Sequence, residues 1–234
     1  MTVQETQMPV NVAPAIGSRF GNFTARVGGR LRLGLCAKFR RYGLSRDLTL
    51  FFENPVAKIP IAIRPLQSRD LASLFASNSA SDSAERLEIA WRRAFVDKGA
   101  RGGFVAVDSR NDLPCYVQWL FGAQDNEFIR NLGGFPALQP GQALLENAYT
   151  PPAYRGLGIM SAAMALIAER AIDFGAREVQ TFVDEHNIAS LKGCQRAGFY
   201  PRLLHDRTRL CFGLITRDSF GRLPDDDPRQ SKKF

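Results

Sequence analysis

The sequence predicts a mixed α/β fold, a mostly antiparallel sheet flanked by helices, and three observations carry that reading. Alternating β-type runs and amphipathic stretches follow one another as strand, two helices, three strands, helix, strand, helix, two strands. The stretch from Ile159 to Ala168 is a helix in which only Ser161 is not apolar, so it needs cover on nearly every side. A chain of 234 residues with 45% hydrophobic content can supply that cover in one core.

The elements follow in order from Lys58. KIPIAIRPL alternates as a strand, and SRDLASLFA reads as a helix capped by Ser68. SDSAERLEIAWRRAFVDKG is the second helix, with Leu87, Ala90, Trp91 and Phe95 as its expected apolar stripe. GFVAVDS and CYVQWLF, separated by RNDLP, form a predicted hairpin. A long connection at 122–142 carries a short helix, NEFIRNL, before Gly133 and Gly134, and its length suggests a binding role. ALLENAYT is the next strand, followed by the apolar helix, which Gly175 stops. EVQTFVD is a strand, and HNIASLKGCQRAGF a helix with Asn187 as cap and Gly198 as terminator. FYPRLL and LCFGLI, separated by HDRTR, read as a closing hairpin, and the tail from Arg222 as loose.

The net charge of +8 is concentrated at the start of the chain. Residues 1–58 carry nine Lys/Arg and three Asp/Glu, and no acid lies between Arg19 and Arg46. Leu31, Leu35, Phe39 and Tyr42 would share one helical face, but Gly28, Gly29, Gly34 and Gly43 disfavour that helix. The segment suits an anionic membrane surface, nucleic acid or an acidic partner, but reads first as a solvated arm that partly docks on its own domain. The expected division is a partly ordered basic arm at 1–57, a compact domain at 58–218 and a flexible tail at 219–234. Cys36, Cys115, Cys194 and Cys211 are scattered, and His186 and His205 are the only histidines, which argues against a disulfide framework and a zinc site. No apolar run is long enough to span a bilayer, and MTVQETQMPV does not read as a secretory signal, so the cytoplasm is the expected compartment.

The chemistry is concentrated in YTPPAYRGLGIMS, between a strand and the apolar helix. A helix start presents unpaired amides and the positive end of its dipole, so Gly156, Gly158 and the amides after them suit a pyrophosphate. Taken alone, Gly-x-Gly is a weak signal that reads more readily as a structural turn. The dinucleotide fingerprint fails because Ser161 stands where its third glycine falls, and no Gly-Lys-Ser/Thr follows for a P-loop. Asn187 reads both as a helix cap and as a ligand contact.

AYRGLG resembles the acyl-CoA pyrophosphate motif of the GNAT acetyltransferase superfamily, Gln/Arg-x-x-Gly-x-Gly/Ala, with Ala153 departing from its first position. Downstream, NIASLKGCQRAGF is similar to the family's second signature, with Asn187, Ser190, Gly198 and Phe199 at the matching places. The likeness covers about 59–215. It implies the GNAT fold and transfer of an acetyl group from acetyl-CoA to a primary amine by direct attack, without a metal. The coenzyme residues it implies are Tyr149, Thr150, Arg155, Gly156, Leu157, Gly158, Ile159, Met160, Ser161, Asn187 and Ser190. A strand amide at Tyr149 or Thr150 would hold the developing oxyanion where two strands splay, and Pro151 and Pro152 end the strand there. Glu146 is the candidate base, or else a solvated strand glutamate, with Asp125, Glu127 and His186 as weaker candidates. Cys194 stands where many members place the acid, a tyrosine; Tyr200, Tyr154 or water are the substitutes. A non-catalytic coenzyme-binding module and a scaffold for the basic arm are the competing readings. The acceptor is a small-molecule or peptide amine, shaped in part by the 122–142 loop, and a homodimer is left open.

Overall fold

The computed structural model describes residues 36–75, 83–212, 214–224, 226–231 and 233–234. The strands are β1 (Cys36–Asp47), β2 (Ile61–Pro65), β3 (Gly103–Asp108), β4 (Leu113–Gly122), β5 (Gln142–Tyr149), β6 (Glu178–Asp184), β7 (Tyr200–Leu210) and β8 (Ile215–Arg222). The helices are α1 (Ser68–Leu74), α2 (Ser83–Asp97), α3 (Asn126–Leu132), α4 (Ile159–Glu169) and α5 (Ile188–Arg196). All eight strands join one sheet in the order β2-β3-β4-β5-β6-β1-β7-β8. The pairs β2–β3, β3–β4, β4–β5 and β6–β1 are antiparallel, and β5–β6 is parallel. The predicted class therefore holds. Most of the described residues, within Phe39–Arg207 and Asp218–Phe234, form one compact unit, and Thr208–Arg217 belongs to a second, small one.

Two clusters of buried side chains fill the large unit. The first centres on α4, whose Ile159, Ala163, Met164 and Ile167 are at most 1% exposed, and it includes Leu44, Leu191 and Phe199. The second gathers Phe75, Phe95, Trp119, Phe121 and Ile129 under α1, α2 and α3. Phe95 sits edge-on to Trp119, Phe121 and Phe128, an aromatic knot that fixes α2 and α3 against β4.

Helix α2 turns a different face inward from the one its apolar residues suggest. Of the expected stripe only Phe95 is buried; Leu87 and Trp91 are 72% and 55% exposed and Ala90 is exposed too, whereas Glu85, Ile89 and Arg92 are buried. The two buried charges have partners waiting, so polar contacts outweigh the apolar stripe. Helix α1 also starts one residue early: Gln67 is its cap, and the Asp70 carboxylate accepts the Gln67 amide at 2.8 Å while gripping Arg64 at 2.6 and 2.8 Å.

The boundary expected at residue 57 is the larger correction. The first part of the basic arm, through Leu35, lies outside the described residues, but Cys36–Asp47 is a strand inside the sheet, paired with β6 from Arg41↔Asp184 to Asp47↔Glu178. Arg46, 4% exposed, reaches the carbonyls of Ala165 and Ala197 and the side chains of Asn54 and Glu169, and its guanidinium lies over Phe52. Gly43, which argued against a helix, is required by close packing: a Cβ there would lie 2.8 Å from both Leu203 Cβ and the Phe182 ring. At the other end, HDRTR is continuous with β7 rather than a turn, and β8 runs past residue 218 to Arg222. The tail is not loose throughout: Leu223 is 2% exposed, and the Phe234 ring packs edge-on to Tyr42 at 5.3 Å.

Because β1 lies between β6 and β7, deleting residues 1–57 is expected to abolish cooperative unfolding, observed as loss of a sigmoidal urea transition. Gly43→Val should retain the transition but lower stability by about 1–3 kcal/mol through overpacking, read from the shift in the urea midpoint.

Candidate active site

The site begins where one ladder stops. Strand β5 pairs with β6 only from Gln142↔Glu178 to Leu144↔Gln180, and beyond Leu144 the two strands part. On its other edge β5 remains paired with β4, but the register slips: Trp119 faces Glu146 and Val117 faces Tyr149, leaving Asn147 and Ala148 opposite Gln118. This is a β-bulge, which bends a strand and re-aims its side chains. Asn147 takes φ 61°, a left-handed conformation. Arg92 from α2 anchors the bulge, donating to the Ala148 carbonyl at 2.6 Å and to Glu88 at 2.9 Å, with its guanidinium 4.8 Å from the Tyr149 ring centre.

Where β5 ends, a cleft of about 530 Å³ opens beside the start of α4 and the first turns of α5. Tyr149, Thr150, Arg155, Gly156, Gly158, Ile159, Met160, Ser161, Asn187 and Ser190 line it, so ten of the eleven predicted coenzyme residues meet there. Leu157 does not; it packs against the apolar core, and its carbonyl accepts the Lys58 amide at 2.9 Å. Gly156 and Gly158 have φ 78° and 74°, so both are in the region that favours glycine. No atom lies within 4 Å of a Cβ built on Gly156, which leaves the backbone open to a ligand. The first intrahelical bond is Ala162 N–H to the Gly158 carbonyl, so the amides of Ile159, Met160 and Ser161 precede the helical ladder. A pyrophosphate fits this turn, and Gly156 to Ser161 would hold it. Arg155 stands at the wall, bonded to Glu85 at 2.8 Å and to the Thr150 carbonyl at 3.1 Å; Glu85 also accepts the Tyr149 hydroxyl at 2.7 Å. Asn187 caps α5 by accepting the Ser190 amide at 3.1 Å, and its side chain also faces the cleft.

A smaller pocket of about 170 Å³ shares Arg92, Ala148, Met160, Asn187 and Ser190 with the cleft, and Glu146, Asn147 and Cys194 line it. Desolvation raises the Glu146 carboxyl to about 7, against the pull of Arg41, the Asn147 amide and Arg92. Burial pushes the Cys194 thiol up to about 12. Asn147 is 5% exposed, and neither Nδ2 nor Oδ1 has a hydrogen-bond partner. A buried unpaired polar group costs about 1–3 kcal/mol; the left-handed backbone is one that asparagine tolerates better than most residues but that glycine adopts without strain.

Behind the pocket, Arg41 is clasped between Phe135 and Phe182, with ring centres 4.9 and 5.5 Å away. It donates to the Gly134 carbonyl and to His205 Nδ1 at 3.0 Å. An arginine can only donate, so Nδ1 is the bare nitrogen and His205 Nε2–H faces Asp218 at 2.6 Å. The 122–142 loop is thereby tied to β1, β7 and β8.

The remaining candidates lie elsewhere. Asp125 accepts the Gly122 amide in a turn, Glu127 is exposed, and the His186 side chain is 88% exposed. Tyr200 lines neither cavity, whereas Tyr154 reaches the cleft. Sequence reasoning missed Asn147, Arg92, Glu85 and Arg41. The signal for the α2 pair was available: Glu85, Ile89 and Arg92 share one helical face, and two charges on a face with buried neighbours imply partners across it.

Comparison with known proteins places these features. The family model described as "Acetyltransferase (GNAT) family" matches residues 74–199. Among solved structures, a glucosamine N-acetyltransferase region of a fungal multi-domain β-N-acetylglucosaminidase aligns at 14% identity and TM-score 0.51, over 82% of this chain and 23% of that one. A GNAT-family acetyltransferase from Colwellia psychrerythraea aligns at 16% identity and TM-score 0.45, over 77% of this chain and 58% of that one. A Brucella melitensis GNAT acetyltransferase in complex with acetyl-CoA aligns at 16% identity and TM-score 0.37, over 56% and 81%. The chain spans 58% of the Drosophila and Colwellia chains it aligns with, less than two thirds of their length. No curated protein matches.

The Glu146 environment has a measurable consequence for stability. Its folded carboxyl binds a proton more tightly than the ordinary value of 4.5, so this group's contribution is present below 4.5 and is lost as pH rises through about 7. Chemical denaturation across that window should show stability falling with pH, and Glu146→Gln should flatten the slope.

Proposed function

Because the chain belongs to the acetyltransferase (GNAT) family, we propose that it is an N-acyltransferase that moves an acetyl group from acetyl-CoA to a primary amine, with Glu146 as the base. The observation that carries this reading is the coincidence of a carboxylate titrating near neutrality with the open end of the β5–β6 splay. A general base works best with a pKa near the operating pH. At 4.5 it would be too weak a base, and well above 7 it would be protonated and idle.

The bound coenzyme supplies a thioester whose acyl carbon is attacked and whose thiol leaves. The residues of this chain do the rest. Amides from Gly156 to Ser161 hold the pyrophosphate without a cationic side chain, and Arg92 keeps the bulge in shape so that β5 presents its free edge to the pantetheine arm. The amide at Tyr149 or Thr150, at the end of β5, is the oxyanion donor of this reading. As the C–N bond forms and the C–S bond breaks, the proton lost by the amine passes to Glu146.

Cys194 has the position of an acid without the acidity. An ordinary thiol titrates at roughly 8.5, so a thiol held at about 12 would give its proton to a departing thiolate only uphill. The proton that Glu146 has taken from the amine, held at about 7, is the downhill source for the departing thiolate and reaches it through water in the open cleft; Cys194 then serves as neutral packing in the same pocket.

Two measurements test the reading. Gly156→Glu places bulk and negative charge on the phosphate turn and is expected to lower acetyl-CoA affinity by at least tenfold by calorimetric titration; unchanged affinity would remove the turn from the coenzyme site. Glu146→Gln should leave coenzyme affinity intact and reduce amine-dependent thiol release by about 10²–10⁴-fold, while the wild-type rate rises with pH through about 7.

A further inference from the structure

Asn147 carries two penalties at one position. It sits at φ 61° where glycine would be free of strain, and it buries a carboxamide whose donor and acceptor are both unpartnered. Neither is needed to make the bulge, because a glycine would make it equally well. The side chain is also well aimed. Successive residues of a strand normally point to opposite faces, but the bulge brings Glu146 and its neighbour Asn147 to the same pocket of about 170 Å³. A buried, unsatisfied carboxamide therefore lies beside the carboxylate already assigned as base.

The chemistry of a carboxamide narrows the ligand. Its oxygen and one of its N–H bonds point along the same edge, so a single ligand satisfies both only by offering a donor and an acceptor side by side. A trans amide fails, because its N–H and C=O point in opposite directions. An amine with an oxygen on the neighbouring carbon succeeds: the amine N–H donates to Oδ1 while the oxygen accepts from Nδ2–H.

Resting on the acyl-transfer reading above, we propose that Asn147 selects the acceptor: a primary amine flanked by a carbonyl or hydroxyl oxygen on the adjacent carbon, as in an α-amino carbonyl compound or an amino sugar. Donation to Oδ1 fixes the amine with its lone pair free to attack, and leaves its second proton for Glu146. Trp91 and Phe182, which also line the pocket, provide apolar walls around this polar corner. Asn147 is thus a specificity residue that touches the acceptor, distinct from the base beside it.

The test compares glycinamide and glucosamine with propylamine, which lacks the oxygen, in full-length protein with acetyl-CoA, following thiol release. A site that hydrogen-bonds a substrate group discriminates strongly against an analogue lacking it, so wild-type kcat/KM should favour at least one oxygen-bearing amine by at least tenfold. Asn147→Gly keeps the φ of the bulge and removes the carboxamide; it should erase the preference while leaving acetyl-CoA affinity unchanged. Asn147→Asp, which also tolerates this backbone, should lower the rate for glycinamide by losing the donor. Equal use of propylamine, or a preference that survives in Asn147→Gly, overturns the proposal. So does a tenfold loss of acetyl-CoA affinity in Asn147→Gly with the amine preference unchanged, which would assign the carboxamide to the coenzyme arm. If no amine is turned over while acetyl-CoA binds, acyl transfer itself fails. Dissociation constants for the same amines on the coenzyme complex then decide the selectivity: a tenfold tighter oxygen-bearing amine sustains it and equal constants overturn it.

Discussion

One interrupted ladder organises the molecule's chemistry: β5 leaves β6 after Leu144 but stays bonded to β4 through a bulge. A strand cannot leave a neighbour without exposing backbone groups, and buried groups of that kind need other partners. Here the Ala148 carbonyl is taken by Arg92, while the rest of the exposed edge faces the cleft. The bulge sets where the strand bends, and the proline pair at Pro151 and Pro152 follows directly, so β5 ends where the cleft opens. The helix start at Gly158 is positioned by the same short segment, so the glycine turn and the strand edge are geometrically coupled across a few residues.

Much of this was legible from residues alone. The apolar character of α4 forced it into the core, Gly156 and Gly158 marked the positive-φ turn, and Asn187 had the cap position it occupies. These are local signals, each read from a few adjacent residues. What was not legible depended on residues far apart in the chain. Helix α2 buries Glu85 and Arg92 because Tyr149, Arg155 and Ala148 wait for them more than fifty residues away, and an apolar stripe cannot report that.

The basic arm shows the same limit from the other side. A run of arginines without acids reads as a solvated, anion-seeking face when its partners are unseen. In the fold, Arg40 pairs with Asp206 at 2.7 Å, Arg41 with His205, and Arg46 with Glu169, all supplied by distant elements. Three cations of the predicted arm are therefore structural. The glycine that spoke against a helix, Gly43, leaves room on β1 for Leu203 and for the ring of its register partner Phe182.

The insertion of β1 into the sheet also reaches the chemistry. Burial alone would drive the Glu146 carboxyl upward and keep it protonated at neutral pH; cations alone would hold it low. Its position near 7 is a balance in which desolvation is opposed first by Arg41, from β1, and to a lesser degree by Arg92, from α2. These two arginines come from different elements, and each is itself fixed: Arg41 between Phe135 and Phe182 and bonded to His205, Arg92 by Ala148 and Glu88. Because neither can move without loosening its packing, the field they cast on Glu146 is preorganised rather than assembled when a ligand enters. A strand that sequence reasoning placed outside the domain is thus part of what tunes the proton affinity of the residue at its centre.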